Sequence, residues 1–589
     1  MNPNEYYQEK ITEVSRELDS LKRKALLISM LRLSVFLTTW GMVYFFIGKT
    51  ALAAGTIIVG MGTFLLLVSK YTDLKSNIAY LNQLRTINEI ELKVLKGDFS
   101  DIPDGSKYIF EDHHYNQDID LFGQGSLFQL INRTETKKGE ELLASWLNEN
   151  SIDNIRIKQI ANQELSNKVK FRQHFKATAA IVEGGNDSQP ILNWFASYSP
   201  YFPKFSRYLP IPFSICSIGL IGAYIFNLIP GAYLLLWLLI GMTIVGRFVK
   251  KTTDLYNKST QAQNTLNQYS KLLLAIENER FDSEILKARS SKIYSKNFHA
   301  SQKLKNLSTS INYLGNRNNI FLTPIINGFF LWDIIFGNKI EAWIDENKAH
   351  VQEWFDVIEF FDAQNSMSNL AFNNPEYIYP EITTDNRNTL KAEELGHPLL
   401  RKDKLVPNSV SINTEDFFII TGANMAGKST FLRTVALNLV MANCGLPIWA
   451  KSYSYKPTKL ISSMRTSDSL QNDESYFFSE LKRLKFIVDE MKNDEYFIIL
   501  DEILKGTNSK DKAEGSQKFV EKLVSSNSTG LIATHDLSLC ELSKKLSEIK
   551  NHYFDAQIID DELFFDYKFK DGICQNMNAS FLLRKMEIV

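Results

Sequence analysis

The run Thr421-Gly-Ala-Asn-Met-Ala-Gly-Lys-Ser-Thr430 follows the apolar segment Phe417-Phe-Ile-Ile420 and precedes a helix-like segment, Phe431 to Val440. A strand, a loop with two glycines and a helix in that order form a phosphate-binding turn. Gly422 and Gly427 open backbone angles closed to other residues, so the N–H groups of Ala423, Asn424, Met425 and Ala426 turn inward around a polyphosphate at the helix N-terminus. The spacing directs Lys428 to the β- and γ-phosphates and the Ser429 hydroxyl to Mg²⁺, with Thr430 closing the ATP cradle.

A second apolar run, Tyr496-Phe-Ile-Ile-Leu-Asp-Glu502, ends in two carboxylates. Paired acids at the end of a buried strand are unfavourable unless they work, and here Asp501 is expected at the Mg²⁺ and Glu502 at the attacking water. A further strand, Leu531-Ile-Ala-Thr-His535, follows. Strands alternating with helices around these motifs predict a doubly wound P-loop α/β domain, with ATP and Mg²⁺ as cofactors.

The remaining length, out of 589 residues, exceeds what one core organises. A net charge of -1 excludes a globally basic nucleic-acid binder but not a local patch, and four cysteines without paired spacing fit a reducing compartment without structural zinc.

Two stretches point to a bilayer. Asn4 to Lys24 has the spacing of an amphipathic helix, and between Arg32 and Lys70 the only charge is Lys49, beside Gly48. Leu33 to Gly48 and Ala51 to Ser69 therefore predict a helical hairpin across a membrane. No charge occurs between Arg207 and Arg247, so Pro210 to Leu228 and Ala232 to Gly246, hinged at Pro230-Gly231, predict a second. Buried helices of a soluble protein are the alternative. Lys22, Arg23, Lys24, Lys70, Lys75, Lys204, Lys250 and Lys251 flank the hairpins, which by the positive-inside rule puts four membrane helices in the inner membrane and the bulk of the chain in the cytoplasm. A helix continues from Tyr71 to Leu95, and Asp98 to Asp118, with His113-His114, reads as a linker.

At Ile119-Asp-Leu-Phe122, Asn132-Arg-Thr134 and Lys138-Gly-Glu-Glu-Leu-Leu-Ala-Ser-Trp-Leu147 the chain resembles the helical core of the MutS DNA mismatch-repair ATPases; Thr134 or Thr136 is suited to cap the helix there. Gly396-His-Pro-Leu-Leu400, Val406-Pro-Asn408 and the phosphate loop resemble the same family, with Ala423 and Ala426 in place of its Pro and Gly. The resemblance implies that His397 lies near the nucleotide base, as a stacking or a structural residue, and that His535 senses the γ-phosphate, with Asp536 replacing an aromatic residue. Ser475, in Ser475-Tyr-Phe-Phe-Ser-Glu-Leu481, resembles the serine offered across a head-to-tail dimer to the partner's nucleotide, although Asp473-Glu474 replaces the family's Gly-Arg. Gly506-Thr-Asn508 matches a loop linking the two sites.

The organisation expected is an N-terminal amphipathic helix (1–32), a first hairpin (33–70), a helix and linker (71–118), an all-α core (119–206), a second hairpin (207–249), a helical core and lever (250–385) and the ATPase domain (386–589). The resemblance implies an ATP hydrolase acting as a homodimer and binding DNA; the family's mismatch-reading wedge and clamp have no counterpart, and membrane segments occupy the first of those places. Lys287, Arg289, Lys292, Lys296, Lys303 and Lys305 form a basic stretch suited to DNA phosphates, to anionic lipid headgroups or simply to solvent. The competing reading is an ATP-driven membrane machine or scaffold that never touches nucleic acid.

Overall fold

The computed structural model describes residues 2–575 apart from 111, 182–186, 316, 318–321, 385–386, 465–475, 505–508, 527 and 560–561. Its chain opens on two long antiparallel helices. Asn2 caps the first, Pro3–Phe45, by accepting from the Asn4 N–H at 3.0 Å, and a turn at Phe46 to Lys49 leads into the second, Thr50–Leu95. Gly60 lets the pair close, because a Cβ there would lie 2.3 Å from Thr39 Oγ1. The base of this hairpin is buried, with Val14 and Leu18 packed against Leu81, Leu84, Ile87 and Ala177. Its outer part is bare: Leu27, Leu33, Trp40, Phe45, Ile58 and Leu66 all face outward. Both helices have the length and apolar composition to cross a bilayer. Arg32 lies within the exposed stretch, its guanidinium 4.6 Å from the centre of the Tyr71 ring.

The second apolar run differs from expectation. It forms two helices of 16 residues each, Pro210–Ile225 and Gly231–Gly246, which at ~1.5 Å per residue fall short of the ~20 residues a span requires. Among the described residues the four expected spanning helices are therefore corrected to two, by length and apolar composition; a third arises if Gly231–Gly246 is joined to Val249–Glu277 across a 62° bend. The hinge falls at Pro230-Gly231 as expected, but the first helix stops at Ile225 rather than Leu228, where Asn227 turns left-handed at φ 57. These helices pack with a third, Leu322–Phe330, where Gly241 meets Gly328 so closely that a Cβ on Gly241 would lie 2.0 Å from the Gly328 carbonyl oxygen. Trp237 stacks on Phe213 and donates its indole N–H to Ser217 Oγ at 2.7 Å.

Between the two apolar assemblies lies a helical body. Ile155–Asn167, Val169–Ala179, Val249–Glu277 and Ala300–Gly315 surround Trp332–Asn373, sharing a core that includes Leu266, Tyr269, Leu304, Trp354 and Phe361. Trp332–Asn373 runs 42 residues, about 63 Å. Its last turns carry buried polar side chains that tie it to the first hairpin and to the Asn132-Arg-Thr134 turn. Tyr7 donates to Asn373 Oδ1, Asn373 Nδ2 to Glu91 Oε2 at 2.8 Å, Arg133 Nε to Glu91 Oε1 at 2.6 Å, and the Arg133 N–H to Ser366 Oγ at 3.0 Å. Ring and carboxylate are thus all partnered, as burial demands.

The nucleotide domain is built on a six-stranded sheet in the order Glu562–Asp571, Ile549–Ile559, Phe417–Gly422, Thr529–Ala533, Tyr496–Asp501, Lys459–Ser463. All neighbours are parallel except the first pair, a hairpin at the edge. A four-stranded sheet, Glu381–Ile382, Ser452–Tyr455, Asn388–Leu395 and Asn408–Asn413, covers one end. Residues expected as a linker and as the start of the helical core are part of this domain by packing. Tyr115, Leu121, Phe128, Leu143 and Leu147 share a core with Ile420 and Val435. Arg483 fastens the stretch, donating to the carbonyls of His113 at 2.7 Å and His114 at 2.6 Å. Thr136 caps helix Lys137–Asn148 by accepting from the Gly139 N–H at 3.0 Å.

Candidate nucleotide site

Strand Phe417–Gly422 is buried throughout and delivers the chain to a turn that only small or left-handed residues can make. Gly422 (φ 146) passes so near its neighbouring strand that a Cβ would lie 2.5 Å from the Phe554 carbonyl oxygen, and Gly427 (φ 107) caps helix Lys428–Asn443. Met425, also left-handed at φ 68, turns its side chain outward at 79% exposure, leaving its backbone to the loop. Ala426 is fully buried, so the small residue that replaces glycine here fits the space under the loop. The Ala426 N–H bonds back to the Ala423 carbonyl at 3.3 Å, which curls the loop into a concavity, and Asn424 and Thr430 are exposed.

Lys428 Nζ lies inside that concavity, donating to the carbonyls of Gly422 at 2.9 Å and Ala423 at 3.0 Å. Ser429 Oγ donates to Asp501 Oδ2 at 2.5 Å, so the loop and the acid-ending strand converge. Strand Thr529–Ala533 lies between those two strands and places His535 at their shared end. The His535 Nε2 is 3.3 Å from Lys428 Nζ and 3.2 Å from Glu502 Oε1. Glu502 itself is left-handed (φ 58), its N–H bonded to the Ala533 carbonyl at 2.9 Å. A non-glycine residue in that region is strained by about 1–3 kcal/mol, and the bond to Ala533 holds it there. Burial pushes the Lys428 ammonium below its ordinary pKa, against the pull of Asp501 and Glu502. Burial and the Lys428 charge lower His535 likewise, so its ring is neutral at pH 7. Asp536 accepts from the Ser538 N–H at 2.9 Å and caps the short helical turn Leu537–Lys544.

A pocket of about 470 Å³ opens beside the loop, lined by His397, Val406, Thr430, Phe431, Phe554 and Tyr567. Its size and its aromatic and aliphatic walls suit a purine base. His397 is both a wall and a structural residue: its Nδ1 accepts from the Leu399 N–H at 3.2 Å, and burial lowers its pKa to about 4. Phe554 and Tyr567 are wall residues that no motif marks; register alone brings them in, with Phe554 paired to Gly422.

Ser475, Asp473-Glu474 and Gly506-Thr-Asn508 lie outside the described residues. His113 and His114 do not face a common ligand. His113 Nε2 is 2.8 Å from the Asn148 carbonyl oxygen, and His114 Nε2 is 3.1 Å from Glu490 Oε2. The basic stretch does not form one open face either. Lys287 pairs with Asp282 at 3.8 Å, Lys292 with Glu353 at 3.0 Å and Lys303 with Glu346 at 2.6 Å, while Arg289 lies over Phe360; Lys296 and Lys305 are exposed.

The sequence model of MutS domain V matches residues 418–584. The chain is 30% identical over 251 residues to MutS protein homolog 4 of Homo sapiens, covering 41% of this chain and 26% of that protein. It is 31% identical over 245 residues to the DNA mismatch repair protein MutS of Clostridium tetani, covering 40% and 27%, and 30% identical over 241 residues to that of Finegoldia magna, covering 40% and 28%. The chain thus spans about a quarter of the length of the curated relatives it matches. Residues 418–584 thus match MutS domain V, and the likeness to the MutS proteins covers that nucleotide domain and part of what precedes it.

Proposed function

We propose that the chain is a membrane-attached ATPase that binds and hydrolyses ATP in a head-to-tail dimer and passes the resulting motion into its helical body. The observation that carries this reading is the convergence of Lys428, Ser429, Asp501, Glu502 and His535 at the C-terminal ends of three adjacent inner strands, beside a base-sized pocket. Ser429 Oγ and Asp501 Oδ2 are hard oxygen donors in contact, a pair that fits Mg²⁺. Bound there, Mg²⁺ would supply charge neutralisation on the β- and γ-phosphate oxygens. Lys428 exchanges its loop carbonyls for those phosphates. Glu502 orients the attacking water and accepts its proton, and neutral His535, in reach of both Lys428 and Glu502, holds that carboxylate in place. Ser475 is the residue for the partner's nucleotide, so one chain alone leaves each site incomplete.

DNA is the ligand that the names of the relatives suggest. A membrane machine without nucleic acid is the second reading, favoured by the pairing of Lys287, Lys292 and Lys303 with acids and by the bare apolar hairpin. The bilayer attachment in both readings is supported by the length and exposure of Pro3–Phe45 and Thr50–Leu95, with the inner membrane as its place and the bulk of the chain on the cytoplasmic side. ATPase rate of the full chain in detergent, with and without duplex, mismatched, branched and single-stranded DNA at two salt concentrations, tests the choice. Salt-sensitive stimulation by one DNA form supports DNA handling. A flat response with basal hydrolysis intact supports the membrane machine, and absence of hydrolysis under every condition overturns both.

A further inference from the structure

A cleft of about 880 Å³ runs between helix Pro210–Ile225, helix Ala300–Gly315 and the first turns of Trp332–Asn373. Its two ends have opposite character. Along one wall Ile211, Ile215 and Ile218 repeat at helical spacing, each more than 60% exposed, and continue the bare surface of the short apolar helices. Arg207, the last residue of the short turn Lys204–Arg207 that precedes this helix, also lines the cleft, as does Lys339 on Trp332–Asn373. Among the described residues neither cation forms an ion pair, whereas Lys303, which also lines the cleft, is engaged by Glu346 at 2.6 Å. Lys339 Nζ instead rests 4.9 Å from the centre of the Phe336 ring. Hydroxyl and amide groups of Ser310, Thr309 and Asn338 line the space between.

Two unpaired cations at the foot of an apolar helix, with an apolar groove leading away from them, match an amphiphile that has an anionic head and a long tail. We propose that this cleft binds one anionic phospholipid, its headgroup between Arg207 and Lys339 and an acyl chain along Ile211, Ile215 and Ile218. The inference rests on the membrane-attachment reading above and adds to it a lipid preference. The second assembly, whose helices of 16 residues are each too short to span alone, is then held at the bilayer surface by a bound lipid.

The test uses the full chain with vesicles of pure phosphatidylcholine and with vesicles containing phosphatidylglycerol. Flotation with phosphatidylcholine alone reports attachment through the first hairpin; if the wild type does not float, the membrane reading fails and the cleft proposal fails with it. If it floats, native mass spectrometry of the detergent-extracted protein reads lipid retention. The expected result is a preference for phosphatidylglycerol over phosphatidylcholine of roughly tenfold or more, from two cations at the headgroup plane. Arg207→Gln with Lys339→Gln should abolish that preference while leaving flotation on phosphatidylcholine unchanged, and Arg207→Lys should retain most of it. Equal retention of both lipids by the wild type, or an undiminished preference in the double variant, overturns the assignment.

Discussion

Tyr7 and Asn373, 366 positions apart in the chain, share a buried hydrogen bond of 2.7 Å. Through it the first turns of the hairpin and the last turn of the long helix Trp332–Asn373 form one polar cluster with Glu91 and Arg133. The cluster is where the hairpin meets the body, and its members are 9% exposed or less.

Removing one partner from such a cluster strands the rest. Tyr7→Phe leaves Asn373 Oδ1 without its donor and is expected to destabilise the protein by about 1–2 kcal/mol. Arg133→Met leaves the Glu91 carboxylate buried without its cation, an effect of about 3–5 kcal/mol. Thermal midpoints of the detergent-solubilised variants check both, and a midpoint for Arg133→Met equal to wild type would refute the cluster's structural role.

At the nucleotide site Glu502 and Lys428 separate turnover from binding. Glu502→Gln keeps the size of the side chain and should lower kcat by roughly 10²–10⁴-fold while ATP still binds and the dimer accumulates. Lys428→Ala should abolish ATP binding at millimolar nucleotide. Equilibrium binding of labelled ATP and size-exclusion chromatography with ATP distinguish the two; identical behaviour of both variants would sink the assignment of roles.

Tyr567 touches the base pocket rather than the phosphates. Tyr567→Ala should raise KM for ATP by roughly tenfold, the worth of one aromatic contact, and leave kcat within twofold. Steady-state kinetics with ATP and GTP read the change. A drop in kcat at constant KM would move Tyr567 out of the pocket's role.

Two buried carboxyls make stability depend on pH. Burial raises Asp362 to about 7, although it accepts from the Glu135 and Thr136 backbone and the Thr136 hydroxyl, and burial raises Glu359 to about 7 beside Ser188. Folded-state values above the unfolded ones mean stability that is full below pH ~4 and is lost as pH rises through about 7. The thermal midpoint should therefore fall between pH 5 and 8, and Asp362→Asn with Glu359→Gln should flatten the slope. A slope unchanged in the double variant would show that other groups set it.

What could be read in the sequence was whatever sits in one contiguous run. The phosphate loop from Gly422 to Thr430 and the Asp501-Glu502 pair each occupy a single strand end, and the structure places Lys428, Ser429, Asp501, Glu502 and His535 together. The base pocket was half hidden, because Phe554 and Tyr567 arrive through the register of an edge hairpin and alternate like any strand residues. The stretch from Asp98 to Asp118 read as a linker because it has no period; its order comes from Arg483, distant in sequence, bonding its carbonyls. The second apolar run looked able to span because absence of charge does not show where a helix stops, and Asn227 ends the first helix at Ile225. Lys287, Lys292 and Lys303 looked like a basic face because their acids, Asp282, Glu353 and Glu346, follow no local spacing.

The helix Trp332–Asn373 is fixed at both ends. Near its start the Asp333 N–H bonds to Asn327 Oδ1 at 2.9 Å within the three-helix apolar cluster, and at its finish Asn373 is held by Tyr7 and Glu91. A rod clamped at two points can neither slide nor swing freely; it can only bow or twist along its span. A load placed on this rod is therefore borne by both apolar assemblies at once, as the two supports of a beam share its reaction.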